Sequence, residues 1–325
     1  MKKILVTGGA GFIGSNLVDA LMADERIGLV RVLDNLSTGF LAHISQHIGH
    51  PKFEFLEADI RDFDACRRAC AGMDWVSHHA ALGSVPRSIQ DPLSTNAVNI
   101  TGMLNILQAA KETGVQRLVY AASSSTYGDS QELPKVEARI GKPLSPYAVT
   151  KYVNELYASV YARSFGMEII GLRYFNVFGP RQSPNGAYAA AIPLFITQLL
   201  RSESPTIHGD GSSSRDFTFV SNAVQANFLA FFSENKAVIG EVFNIAYGQQ
   251  TTLLELFEWL RSILGTNTEA VFGPERPGDV KHSLASIEKA QKMLGYAPEI
   301  GVEAGLRRTV AALLQPQKQQ NQFQT

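Results

Sequence analysis

The chain has 325 residues, with 29 Lys and Arg against 30 Asp and Glu, and a formal net charge of -1. Apolar residues make up 45% and charged residues 18%, which excludes a disordered chain and leaves room for two lobes or one enlarged α/β domain. The charge balance lacks the basic excess of a nucleic-acid surface, and the longest apolar run, residues 188–196, falls well short of the ~18 residues a membrane helix needs.

Met1-Lys2-Lys3 leads into a short apolar run and then Thr7-Gly8-Gly9, which is not the core of a signal peptide. The expectation is a cytoplasmic protein. Residues 3–7 read as a buried strand, 8–14 as a glycine turn and 15–22 as a helix. Further strands are expected at 30–33, 53–57, 75–78, 118–121 and 168–172, with long helices at 95–111 and 146–165. Strands alternating with helices imply βαβ units and a parallel sheet. Cys66 and Cys70, four apart in a helical pattern, read as two reduced thiols on one helix face. His78-His79 reads as structural, because successive strand residues face opposite ways.

After Arg173 the pattern loosens. Residues 179–188 carry loop chemistry, and helices are expected near 252–264 and 284–294. The expected division is a first domain at 1–175, with a return segment near 216–246, and a second, smaller lobe at 176–314. The tail, 315–325, holds six glutamines and reads as disordered.

Gly8, Gly11 and Gly14 form G-x-x-G-x-x-G between a strand and a helix. Missing side chains let the backbone turn tightly and approach a pyrophosphate at the helix N-terminus. Asp34 ends the second strand, twenty residues after Gly14. A carboxylate there accepts hydrogen bonds from ribose hydroxyls and repels a 2′-phosphate, so NAD is favoured over NADP. Tyr147 and Lys151 form Y-x-x-x-K within a helix, which puts both on one face. A phenol titrates near 10. A neighbouring ammonium and the nicotinamide's positive charge favour phenolate, which makes Tyr147 a base. Ser123, at the carboxyl end of the fifth strand, is placed to share its proton.

These motifs, in this order, resemble the extended short-chain dehydrogenase/reductase family, over everything but the tail. That resemblance implies an α/β fold with a Rossmann-type doubly wound parallel sheet and a smaller mixed α/β carboxy-terminal substrate lobe. It implies catalysis by Ser123, Tyr147 and Lys151. Ser123 is selected by its place four residues before Tyr127-Gly128, and Ser124 and Ser125 become supporting hydroxyls at the substrate.

Cofactor contacts implied are Gly8, Gly11, Phe12, Ile13, Gly14, Asp34, Asn35, the Asp59-Ile60 pair, Ala80, Ala81, Asn99, Tyr147, Lys151 and Tyr174. Substrate contacts implied are Ser84, Tyr147, Asn176, and Arg215 of R-D-F. Arg276 and Asp279 of R-x-G-D complete the set on the diphosphate and nucleotide ribose. Guanidinium forks match phosphate oxygens.

Relatives that eliminate water or CO2 from the sugar carry acids where Ser124 and Ser125 stand, which points to oxidation and re-reduction instead. The pattern is similar to UDP-N-acetylglucosamine 4-epimerases. Ser283 stands where epimerases restricted to plain UDP-hexoses resemble one another in a Tyr; it also fits an N-cap before Leu284. The implied activity is a UDP-N-acetylglucosamine/UDP-N-acetylgalactosamine 4-epimerase with tightly bound NAD, a UDP-sugar substrate, no metal and a homodimer packed through the 95 and 146 helices. A uronic acid or plain UDP-hexose, or a net dehydrogenase or reductase, stays open at this point.

Overall fold

The apolar runs become the frame of one sheet. In the computed structural model, which describes residues 1–184, 190–275 and 281–314, six strands come first: β1 (Lys2–Thr7), β2 (Ile27–Asp34), β3 (Phe53–Glu57), β4 (Trp75–His78), β5 (Arg117–Ser123) and β6 (Glu168–Tyr174). Shorter strands follow: β7 (Val177–Phe178), β8 (Thr206–His208), β9 (Ser214–Arg215), β10 (Thr218–Phe219), β11 (Val242–Ile245), β12 (Thr251–Thr252) and β13 (Val271–Gly273). The main sheet is parallel and seven-stranded, in the order β11-β6-β5-β4-β1-β2-β3. Direction of travel reverses between β1 and β4, which opens a crevice at their carboxyl ends.

The helices are α1 (Phe12–Ala23), α2 (Phe63–Cys70), α3 (Val85–Gln90), α4 (Pro92–Asn96), α5 (Gly102–Glu112), α6 (Pro146–Phe165), α7 (Ala191–Leu200), α8 (Val220–Phe232), α9 (Leu253–Leu264), α10 (Glu288–Leu294) and α11 (Val302–Leu314). Both sheet faces are covered. Ile4, Val6, Val30 and Val32 pack with α1 and α8 on one face, while Leu5, Leu33, Leu118 and Tyr120 pack with α2, α5 and α6 on the other. That is why the strands read as continuous apolar runs. A third core, around Phe178, Phe195, Phe219, Leu256 and Leu306, gathers the later elements. Cys66 and Cys70 are free and buried on α2, and burial pushes both thiols up to about 12.

Several boundaries differ from expectation. α1 begins at Phe12, before the expected Ser15, because Gly14 sits inside its first turn. The expected 95–111 helix starts at Pro92, capped by Asp91, and is interrupted by a π-turn over Ala97–Thr101. The expected 284–294 helix begins only at Glu288, so Ser283 is not its N-cap. Residues 281–285 instead run extended: the Ser283 amide donates to the Ser214 carbonyl, and Lys135 bridges Ala285. α8 lacks a clean apolar pattern because Asn222 and Asn227 are on its buried face. Among the described residues, no helix is long and apolar enough to cross a membrane.

Candidate active site

At the reversal of strand order two loops abut. Gly8 has φ 69°, and a Cβ added to it would lie 2.6 Å from the Ala80 amide nitrogen. A Cβ on Gly14 would lie 2.1 Å from the Gly8 carbonyl oxygen. Both positions therefore require glycine. No side chain caps α1, whose N-cap is Gly11, so its first-turn amides favour an anion.

The Asp34 carboxylate holds this turn from the side. Oδ2 accepts from the Ala10 amide at 2.9 Å and Oδ1 from the Leu36 amide at 2.9 Å. Each oxygen keeps lone-pair capacity for a ribose hydroxyl. Burial raises the Asp34 pKa against those two bonds. Asp59 is engaged by Arg61 at 2.7 Å and Asn35 at 2.8 Å, and chiefly the Arg61 hydrogen bond holds its pKa down to about 2.

These residues line a cavity of about 650 Å³. It runs from Asp34, Asn35, Asp59 and Ile60 past Gly8, Gly11, Phe12, Ile13 and Gly14 to Ala80, Ala81, Ser84, Ser123, Ser124, Tyr147, Lys151 and Tyr174. Shape, glycine cradle and acid fit a dinucleotide.

The three proposed catalytic groups meet at the far wall. α6 is started by Ser145, whose Oγ accepts from the Ala148 amide at 3.1 Å, with Pro146 at its first position. That places Tyr147 in the first turn and Lys151 in the second. Lys151 Nζ donates to the Ala121 carbonyl at 2.8 Å and lies 6.0 Å from the Tyr147 ring centroid. Arg173 on β6 grips Glu155 through two bonds of 2.8 and 2.7 Å. This buried pair fixes α6 against the sheet one turn beyond Lys151.

Ser123 neighbours the Tyr147 phenol, and Ser125 Oγ donates to Ser123 Oγ at 2.9 Å. Burial raises the Tyr147 phenol, and the neighbouring Ser123 opposes it. Burial lowers Lys151 to about 8, with the Glu155 charge opposing. Protein groups alone therefore keep Tyr147 protonated, and the cationic nicotinamide is needed to favour phenolate.

A second cavity of about 310 Å³ adjoins the first. Phe178, Phe195, Phe217, His208, Arg215 and Lys281 line it. Asn176, Val177, Gln182 and Ala190 line both cavities. Asn176 has φ 35°, a left-handed conformation an asparagine tolerates.

Other expected residues sit elsewhere. Asn99 is buried behind the crevice, bonding both the amide and carbonyl of Leu82 and the Thr150 hydroxyl. Ser125 touches Ser123 from behind, and Ser283 sits beside Ser214 without lining either cavity. Arg276, Asp279, most of the 185–190 stretch and the 315–325 tail lie outside the described residues. His79 stacks on Tyr174 with centroids 6.1 Å apart, and burial lowers both His78 and His79, to about 3 and about 4.

Sequence reasoning missed Ser37 and Thr38, which line the crevice after Asp34. The available signal was Gly39, where a Cβ would lie 2.8 Å from the Ala10 carbonyl carbon. Gln182, His208 and Lys281 were missed too; single polar residues in loops carry no such signal.

A doubly wound sheet with a glycine cradle at its switch point, an acid after β2 and a Ser/Tyr/Lys group after β5 defines a dinucleotide-dependent enzyme. The chain belongs to the NAD dependent epimerase/dehydratase family, which it matches over residues 4–246. A UDP-glucose 4-epimerase of Mycolicibacterium smegmatis is 36% identical over 310 residues, covering 95% of this chain and 97% of that protein. The solved UDP-N-acetylglucosamine 4-epimerase of Methanobrevibacter ruminantium, in complex with UDP-N-acetylmuramic acid, superposes with a TM-score of 0.90 at 39% identity, covering 96% of this chain and 98% of that one. The UDP-glucuronic acid 4-epimerase of Bacillus cereus, with UDP-glucuronic acid and NAD, gives 0.88 at 32% identity, covering 96% and 98%. The chain is an isomerase, an NAD-dependent nucleotide-sugar 4-epimerase, and NAD is its cofactor.

Proposed function

We propose that the chain interconverts UDP-N-acetylglucosamine and UDP-N-acetylgalactosamine through a 4-keto sugar. Ser123, Tyr147 and Lys151 share one wall of the crevice, with hydroxyls at Ser124 and Ser125 where elimination would need an acid. That juxtaposition carries the reading. Among the described residues lining the larger cavity, the carboxylates are Asp34 and Asp59, at the ends of β2 and β3 and across the sheet from Ser123.

Tyr147 takes the C4 hydroxyl proton, and Ser123 hydrogen-bonds the same oxygen as it becomes a carbonyl. Lys151 supplies positive charge beside the phenolate. NAD, when bound, supplies the hydride acceptor and then the donor. Arg215 anchors the diphosphate in the second cavity, with Arg276 and Asp279 as further partners, while Asn176 stands at the junction. The sugar turns over on this anchor, so binding energy is spent away from the reacting carbon. Residues 1–175, returning at 216–246, form the cofactor lobe and 176–314 the substrate lobe.

Two observations support an N-acetylated sugar. Gln182 Oε1 is buried without a partner among the described residues, on the wall shared by both cavities. An acetamido N–H supplies a donor for it. Ser283, next to the Arg215 strand though outside both cavities, stands where plain-hexose epimerases resemble one another in a Tyr. The solved complex with UDP-glucuronic acid favours a second reading, a 6-carboxylated sugar.

A panel of UDP-Glc, UDP-GlcNAc and their uronic acids decides, read by product stereochemistry. UDP-GlcNAc is expected to turn over with the highest kcat/KM; no exchange with UDP-GalNAc would refute the reading. The chain is further proposed to be a cytoplasmic homodimer. Val149, Leu156 and Val160 on α6, and Ile89 and Leu93 on α3 and α4, are exposed apolar residues that a second copy would cover. Light scattering giving a monomer mass would overturn that.

A further inference from the structure

Asp216 stands between Arg215 and Phe217, two residues that line the smaller cavity, yet it is fully buried. Its recorded partners are backbone amides. Oδ1 accepts from Tyr247 and Gly248, each at 3.1 Å, and Oδ2 accepts from Ala285 at 3.1 Å. Its own carbonyl accepts from Asn176 Nδ2 at 3.1 Å. One residue thus ties together β9, the loop after β11, the 281–285 segment and the junction residue of both cavities.

The ties matter because these segments are otherwise lightly joined. β9 pairs with β12 over two residues only. Lys281 and Ser283 meet Ser214 through single backbone bonds, and His282 Nδ1 lies 2.9 Å from Ser214 Oγ. Arg215 donates to the Ser214 and Lys281 carbonyls, so its position depends on how that segment is seated. A buried carboxyl held by amides alone is costly; burial pushes it up to about 7. An apolar residue would fill the space without that cost, but could not gather three N–H groups from two segments.

We propose that Asp216 is a positioning residue for nucleotide-sugar binding: its carboxylate seats Arg215 and the Lys281–Ala285 segment around the smaller cavity, and it takes no part in proton or hydride transfer. The proposal rests on the reading of Arg215 as a diphosphate anchor.

Asp216→Asn tests it in the NAD-loaded enzyme. A carboxamide cannot accept on both sides, so one set of amides loses its partner. Expected results are a rise of roughly tenfold or more in the Kd for UDP by calorimetry and in KM for UDP-GlcNAc. NAD content and kcat at saturation should stay within about twofold. Ala285→Pro removes the N–H that Oδ2 receives but leaves the Lys135 bridge, which uses the Leu284 carbonyl and the Ser286 amide. It should reproduce the rise, and it carries the test if the Asn variant does not fold. An unchanged Kd for UDP in a folded variant overturns the proposal, as does parallel loss of NAD and kcat. UDP itself carries no hexose, so this readout survives if the assigned hexose is wrong.

Discussion

The two adjoining cavities are built differently. The larger one is an edge of a single sheet: its walls are the carboxyl ends of β1, β2, β4, β5 and β6, each locked to a neighbour along a ladder. The smaller is assembled from segments far apart in sequence, joined by two-residue strands and the buried Asp216. Rigid construction suits the half proposed to hold NAD and align hydride transfer. Looser construction suits the half proposed to admit a nucleotide sugar and keep its anchor while the sugar turns.

This difference predicts separable defects. The largest is expected in the rigid half. Tyr147→Phe should lower kcat by roughly 10²- to 10⁴-fold, with NAD content and the Kd for UDP little changed. Steady-state kinetics beside calorimetry check it, and near-normal kcat would remove Tyr147 as the base. In the looser half, Ser283→Tyr should lower kcat/KM for UDP-GlcNAc relative to UDP-Glc by roughly tenfold or more. An unchanged ratio would end the size argument.

The smallest effect expected is on pH dependence. Burial lowers Lys151 to about 8, so its ammonium is present below that value and lost above it. Activity should fall on the alkaline side around pH 8, as the charge beside Tyr147 disappears. Stability should move the other way. Between about 8 and the ordinary lysine value the unfolded chain binds the extra proton, so this group favours folding as pH rises through that window. Urea midpoints from pH 7 to 10 in wild type and Lys151→Met separate the two; the stability slope from this group should vanish in the variant.

What was legible in the sequence follows the same divide. Gly8, Gly14, Asp34, Ser123, Tyr147 and Lys151 each obey a local rule of turn, cap or helix spacing, and the sheet brings their elements to one crevice. The strands could be read because both faces are apolar. Ser283 shows the limit: Ser followed by an apolar run looks like an N-cap, but tertiary bonds to Ser214 hold it extended. Asn99 is put at the cofactor by the family resemblance alone, and the π-turn after α4 accompanies its placement one layer back, on Leu82. Asp216 had no local signal of its role, because its partners lie about thirty and seventy residues away.

The central claim is that hydride leaves C4 and returns to C4 within one binding event, with Tyr147 moving the hydroxyl proton. UDP-GlcNAc carrying deuterium at C4 tests it most directly. The account predicts UDP-GalNAc that retains the deuterium at C4 in ordinary water, with no stoichiometric NADH released. Deuterium lost to solvent, or NADH accumulating with turnover, would contradict it.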